Sequence, residues 1–507
     1  MSGFSSISRG GGQGAGGSDI ANAATTTQFG ESLVAQLTPA AQATFVHGLS
    51  IINFITRSIG TSSSVTSSNS VAILQSGTAT TGSAAIQMRR GLTYRAGQGS
   101  LCRVTNIFGP PVADTYQLCG MGNVESGFYF GYRGLDFGVH HFTGALREVR
   151  TLSIAAGVAD GTSVTVTLNG ESRTITINGG SSINQTSWEI SYQDWTNVGG
   201  GWVAEAYDGT IYFIALRTGP RTGAYSATGT GLTATFAQYI DGTSVAGTFV
   251  SQSAWNIDTM DGNGPSRMVL DKAKGNIYQV GFQYLGFGNT RFAIEDPQTG
   301  QFQSCHMIQQ ANARTTPVLQ DPHVSVIWTV SNAGSTTSTH MTGASGAIFC
   351  EGEVSRNIGP AFSAYAANAD VDTDEEPVLT VRSNRIFRGK VGYGEMDIST
   401  LSASVIGTAA HYVVIRVYKN LRLTGPVNFT NVNASQSIAS YDTAATGFSS
   451  NQNTLVASYV LPFGGSINID LKGDNFFLSV GESLTITAQS STTNANVVCA
   501  ITWFEDQ

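Results

Sequence analysis

Residue types able to bind a metal or move a proton come in few close pairings along this chain. His140-His141 and Cys305-His306 set ligand-type side chains next to each other. Both pairs read as parts of strands, where neighbouring side chains point to opposite faces of a sheet, so neither closes easily on one ion. The run Asp370, Asp372, Asp374 imitates the opening of a calcium loop, but Glu375 and Val381 stand where that loop needs glycine and glutamate. It reads as a solvated acidic hinge. No HExxH, GxSxG or Walker sequence occurs. Asp258, Asp261, Glu295 and Asp296 are the acids a glycosidase could recruit, since that chemistry needs two carboxylates facing each other across roughly 5 to 9.5 Å. Their setting, Asp258-Thr-Met-Asp261-Gly262 and Asp296-Pro297, is equally that of turn caps. No catalytic residue, metal ligand or cofactor is assigned.

Aromatic side chains are more informative. Trp195, Trp202 and Tyr207 bracket the glycine-rich loop Asn197-Val-Gly-Gly-Gly201. An exposed ring beside glycines can stack on a sugar face, which makes Trp195, Tyr207 and Trp255 the candidate ligand-binding residues. Trp188 and Trp202 are expected to fill the core of the small unit that carries them. Stacking, with hydrogen bonds from Asn and Ser, suits neutral sugars bound weakly per site and strengthened by several copies.

The elements that must position these residues are strands. Runs such as Ser100–Phe108, Gly127–Tyr132 and Asn276–Tyr284 mix aromatic and β-branched residues with glycine punctuation. Residues 1–70 read as a Gly/Ser/Thr-rich anchoring tail with a short helix begun by Thr38-Pro39, folded structure starting near residue 71. Residues 71–149 plus 249–368 form an antiparallel β-sandwich. Into it residues 150–248 insert a ββαββ unit, with an Asn169-Gly170 hairpin and a helix from about Ser182 to Gln193. Residues 369–377 read as an acidic linker, and 378–507 as a second, jelly-roll-like sandwich.

Composition bounds the rest. The 507 residues hold 26 basic and 34 acidic side chains for a net charge of -8, which argues against a nucleic-acid partner. No run approaches the roughly 20 apolar residues of a membrane span, so membrane insertion is not expected. The opening residues lack an apolar signal-peptide core, which implies synthesis in a cytoplasm without export. Five cysteines without CxxC spacing read as reduced, packed thiols.

The segments Ala96–Ser100, Gly127–Gly138 and Gly275–Gly288 resemble the strand rhythm of concanavalin-like and laminin-G-like sandwiches, many of which bind glycans. With Leu379–Lys390 and Trp503–Asp506, the same segments are similar to a family of virion structural proteins in tailed phages and large DNA viruses. That resemblance implies a fibre, spike, tail or vertex component of a virion. It would be held to other virion proteins by its N-terminal tail, form a homo-oligomer, most simply a trimer, and project its insert toward a host glycan or receptor. The alternatives are a polysaccharide depolymerase on a spike scaffold, or a capsid or tail cement protein without ligand.

Overall fold

The computed structural model describes residues 36–506 except 93, 96, 124, 179–180, 353–358, 393, 407–411, 450–453, 472–475 and 493–494. The first sandwich consists of two antiparallel sheets. One has the strand order Phe302–Ile308, Thr290–Glu295, Asn276–Phe282, Ser100–Phe108, His340–Glu351, Val71–Gln75, Ser64–Ser68, with Leu37–Thr44 also paired to His340–Glu351. The other runs Ala246–Ser251, Asp136–Gly144, Gly127–Arg133, Thr115–Gly122, Ser325–Asn332, Ser83–Met88, Phe54–Ile59. Period-2 alternation sends Phe128, Phe130, Trp328 and Val330 into the core between the sheets, where they meet Tyr278 and Phe292. Trp328 fits because the facing strand carries glycines. A Cβ on Gly343 would lie 2.6 Å from the indole nitrogen, and one on Gly346 2.9 Å from the ring.

Two expectations fail at the start of the chain. The helix after Thr38 is instead the strand Leu37–Thr44, with a bulge between Pro39 and Ala41. Tertiary burial overrides the cap signal, since Ala40, Ala41 and Ala43 are covered and Phe45 packs on Phe54 at 5.1 Å and on Trp328 at 5.4 Å. Residues 61–70, read as the end of the anchoring tail, contain the strand Ser64–Ser68, which turns through Asn69 (φ 51°) and Ser70 (φ 62°) into Val71–Gln75. Folded structure therefore begins well before residue 71. The glycine-rich part of the expected tail, residues 1–35, lies outside the described residues.

The insert holds the expected ββαββ order and adds three strands, Arg147–Ala156, Ser226–Gly229 and Thr233–Ile240. Its four-stranded sheet runs Trp202–Tyr207, Thr210–Thr218, Arg147–Ala156, Thr233–Ile240, and its three-stranded sheet Glu171–Thr176, Ser163–Leu168, Ser226–Gly229. Asn169 (φ 50°) and Gly170 (φ 87°) make the expected hairpin turn. The helix spans Ile183–Ser191, capped by Ser182, whose hydroxyl accepts from the Gln185 backbone N–H at 3.0 Å. Trp202 joins the insert core as expected. Trp188 instead packs among Leu421, Leu423, Val427 and Phe429 of the C-terminal unit, donating from Nε1 to the Leu423 carbonyl at 3.0 Å.

The C-terminal unit is a second two-sheet sandwich. Its sheets are Ala361–Val371, Ala495–Asp506, Glu395–Ile406, Ser466–Asp470, with Phe477–Leu478 on Glu395–Ile406, and Thr430–Asn431, Ala439–Asp442, Glu376–Ser383, Ser483–Ser490, Tyr412–Lys419, Thr454–Pro462. The acidic linker at 369–377 is not a linker. Asp372 to Glu375 form a turn between strands of different sheets, tied down by bonds from Ser490 N to Asp372 O at 2.8 Å and from Gln489 Nε2 to Thr373 O at 2.9 Å. Because Ala361–Val371 pairs with Ala495–Asp506, the boundary between the sandwiches falls after Glu351 and before Ala361. The insert does not project freely. It is clasped between both sandwiches, with Arg382 Nη2 donating to Ala206 O at 3.1 Å and Arg385 N to the Glu205 carboxylate at 3.0 Å. Among the described residues, no helix is long and apolar enough to cross a membrane.

Candidate functional site

The three rings proposed to meet a ligand are neither exposed nor gathered. Trp195 is 1% exposed in the insert core, edge-on to Phe213 at 5.3 Å, its Nε1 donating to Ile190 O at 2.9 Å. Tyr207 stacks on Tyr212 at 4.5 Å and packs toward the C-terminal unit. Trp255, 5% exposed, closes one end of the first core against Phe130 and Phe137. Glycine beside a tryptophan marks a tight turn here, not an open platform: Gly199 to Gly201 all take positive φ to wrap the chain around Trp195 and Trp202.

Three of the four candidate acids cap turns, while Glu295 ends the strand Thr290–Glu295. Asp258 is buried and accepts from Met260 N at 2.8 Å and Ser266 N at 2.7 Å; Asp261 accepts from Asn263 N at 2.9 Å, and Asp296 from Gln298 N at 2.9 Å. Hydrogen bonds hold the exposed Asp261 carboxyl below the usual carboxylate range. Cys305 points into the core, while His306 is covered by the loop whose Asn256 N–H donates to its Nδ1 at 3.2 Å. All five cysteines are buried and unpaired, and burial pushes their thiols up. Among the described residues, no group of three or more His, Cys, Asp or Glu side chains is placed to share a metal ion.

The concave feature that does assemble chemistry lies on the outer face of the seven-stranded sheet, roofed by the insert. It is a cleft of about 490 Å³. Every strand of the sheet supplies it with side chains, in most cases two residues apart: Arg57 and Ile59, Ser83 and Ala85, Thr329 and Ser331, Tyr116 and Leu118, Tyr129 and Arg133, His140 and Phe142, Gly247 and Phe249. Register makes these one surface, because Ala85 and Leu118 flank Thr329, Tyr116 opposes Arg133, and Tyr129 and Phe249 flank His140. The roof is Leu216 to Thr218 with Pro220 and Arg221, at the end of the insert strand Thr210–Thr218.

Within the cleft, half-buried rings of Tyr116, Phe142 and Phe249 surround the His140 imidazole at 6.2, 5.8 and 4.6 Å. His140 is 1% exposed, and its Nε2 has no hydrogen-bond partner in the protein. Burial pushes its pKa down to about 3, so the ring is neutral near pH 7. The Gly131 backbone partly opposes that shift, and Nε2 stays buried without a partner. The sequence reading missed these residues. Alternation in Gly127-Phe-Tyr-Phe-Gly-Tyr-Arg133 does sort Tyr129 and Arg133 from Phe128 and Phe130, but both rows are aromatic, and only the partner sheet decides which row stays open.

No family model and no curated protein matches this chain. Among solved structures, it is similar to a lectin from Bauhinia forficata in complex with GalNAc, at 10% identity and TM-score 0.21, over 61% of this chain and 97% of that one. It is similar also to lectin II from Ulex europaeus, at 9% identity and TM-score 0.21, over 62% of this chain and 99% of that one.

Proposed function

We propose that this protein is a structural component of a virion surface whose first sandwich binds a host saccharide in the cleft beneath the insert. The observation that carries the binding role is the cleft itself: about 490 Å³, within the usual range for small-ligand sites, with Tyr116, Phe142 and Phe249 as apolar platforms among Ser83, Thr329, Ser331 and Asn123 as hydrogen-bonding groups. Saccharides pair an apolar ring face with a rim of hydroxyls, and this alternation of rings and small polar side chains matches both. The described lining contains no Asp or Glu. Two-carboxylate hydrolysis has no pair there, which favours binding over the depolymerase reading. The virion role rests on the sequence resemblance and on the low charge, 12% of residues, of a chain built from two sandwiches.

The test is a glycan-binding survey of the purified full-length protein beside Phe249→Ala and Tyr116→Ala. Saccharide binding that both variants weaken, with unchanged melting temperatures, supports the reading. Binding indifferent to both would move the site elsewhere, and shortened polysaccharide products would establish an enzyme. Light scattering is expected to give a trimer, three times 53.2 kDa; a monomer at micromolar concentration contradicts the assembly proposed.

A further inference from the structure

The charge of the cleft is at odds with the charge of the chain. Acids outnumber bases 34 to 26 overall, yet Arg57, Arg133, Arg217 and Arg221 line this one site, with no Asp or Glu among its described lining residues. Two of these cations sit close enough to oppose each other: burial, then the charge of Arg221, pushes Arg217 down to about 10, still protonated at neutral pH. Each is anchored by one bond that leaves further donors, Arg217 Nη1 to Thr81 O and Arg221 Nη2 to Gly200 O at 3.2 Å. The Arg221 Nε–H is buried without an acceptor in the protein.

The carboxylate that acts on Arg221 is largely spent. Glu148 lies behind the roof, where its carboxylate takes Arg150 Nε at 2.7 Å, the Tyr225 hydroxyl at 3.2 Å and the Arg221 backbone N–H at 2.5 Å. On the sheet side, Arg133 is exposed and lies over the Phe249 ring at 6.0 Å, at the rim of the aromatic patch. Beneath the rings, His140 Nε2 is buried without a partner in the protein.

We infer that the cleft takes an acidic saccharide whose carboxylate or sulfate is drawn to the cations Arg217, Arg221 and Arg133 that line it. This rests on the saccharide-binding reading above and replaces the neutral sugar expected from the sequence. Guanidinium groups suit such anions because each can present two parallel donors to a planar carboxylate or to a sulfate. An anion also offsets the charge of Arg221 that lowers Arg217, while the rings take the apolar face of the sugar.

The experiment is calorimetric titration of the full-length protein with 3′-sialyllactose, a sulfated heparin tetrasaccharide, neutral lactose and inorganic sulfate, at low and at high salt. An acidic saccharide is expected to bind about tenfold more tightly than lactose at low salt, the yield of one or two charge-assisted hydrogen bonds, and to lose much of that margin at high salt. Arg217→Gln and the surface variant Arg133→Gln each reduce acidic binding severalfold, more than they reduce lactose binding; should Arg217→Gln fold poorly, Arg133→Gln and the salt dependence carry the test. Lactose binding as tightly as the acidic probes, without salt dependence, overturns the inference and leaves the saccharide reading standing. Sulfate binding as tightly as the saccharides identifies a free-anion site and overturns the inference too. No binding by any saccharide overturns both.

Discussion

His141 stands one position from His140 and faces the opposite side of the sheet, stacked on Phe128 at 4.7 Å. Its Nδ1 faces two donors, Arg314 Nη2 at 3.3 Å and Gln310 Nε2 at 3.5 Å, so Nε2 carries the proton and donates to Val318 O at 2.7 Å. Burial, with Arg314 adding to it, pushes the His141 pKa down to about 4. The folded value lies below the unfolded one of about 6.5, so the unfolded chain binds more protons in between. The stabilisation is complete above about pH 6.5 and is lost as pH falls toward the folded values of about 4 and, for His140, about 3. Calorimetric melting should give a flat melting temperature from pH 7 to 8 and a decline from pH 6.5 to 4, shallower in His141→Gln. The buried carboxyls of Glu205 and Asp442, raised by burial, contribute in the opposite sense, and the variant comparison isolates the imidazole. An identical slope in the variant would contradict this account. Trp195 belongs to the same scale: as a core residue, Trp195→Ala should cost about 3 to 5 kcal/mol in chemical denaturation, whereas a surface ring would cost almost nothing.

At the scale of elements, the joint between insert and C-terminal sandwich is ionic, with Glu205 and Arg382 both buried. The Glu205 carboxylate on strand Trp202–Tyr207 receives Arg385 N, and the Arg382 guanidinium lies over Phe429 at 3.9 Å and donates to Ala206 O. Burial is the largest influence on Glu205 and raises it, against the two arginines that lower it. Removing one partner strands the other charges in a buried site, so Glu205→Ala should destabilise by about 3 to 5 kcal/mol and open the joint to protease. Limited proteolysis with thermal melting reads both; an unchanged cleavage pattern would show that the Trp188 contact with Leu423 and Phe429 suffices.

The same elements show what the sequence could reveal. The hairpin at Asn169-Gly170, the Ser182-capped helix and the strand Tyr412–Lys419 were legible, because turn chemistry and period-2 or helical spacing are local. Leu37–Thr44 was not, because its strand state depends on pairing with His340–Glu351, roughly three hundred residues away. The cleft was hidden for the same reason: Phe249 and Arg217 come to one site only once the insert is folded over the sheet.

For the whole molecule, the chain from residue 36 onward is structural. A truncation ending at residue 34 spares every described strand, but one ending at residue 60 removes Leu37–Thr44 and Phe54–Ile59, with Phe45 and Phe54, from the two sheets of the first sandwich. Burying a Phe is worth about 3 to 5 kcal/mol relative to alanine, so loss of two such rings and two edge strands should exceed the marginal stability of a domain. Circular dichroism is expected to show native melting for the first truncation and a collapsed transition for the second. Equal melting of the two would return the first sixty residues to the role of a detachable tail.

The central claim is that one cleft, built by seven strands and roofed by the insert, receives a saccharide. It is tested most directly by a crystal structure of the full-length protein soaked with 3′-sialyllactose. The account places the sugar ring against Tyr116, Phe142 and Phe249, with its carboxylate beside Arg217 and Arg221. Saccharide density on any other surface, or an empty cleft at a concentration that saturates binding in solution, would contradict it.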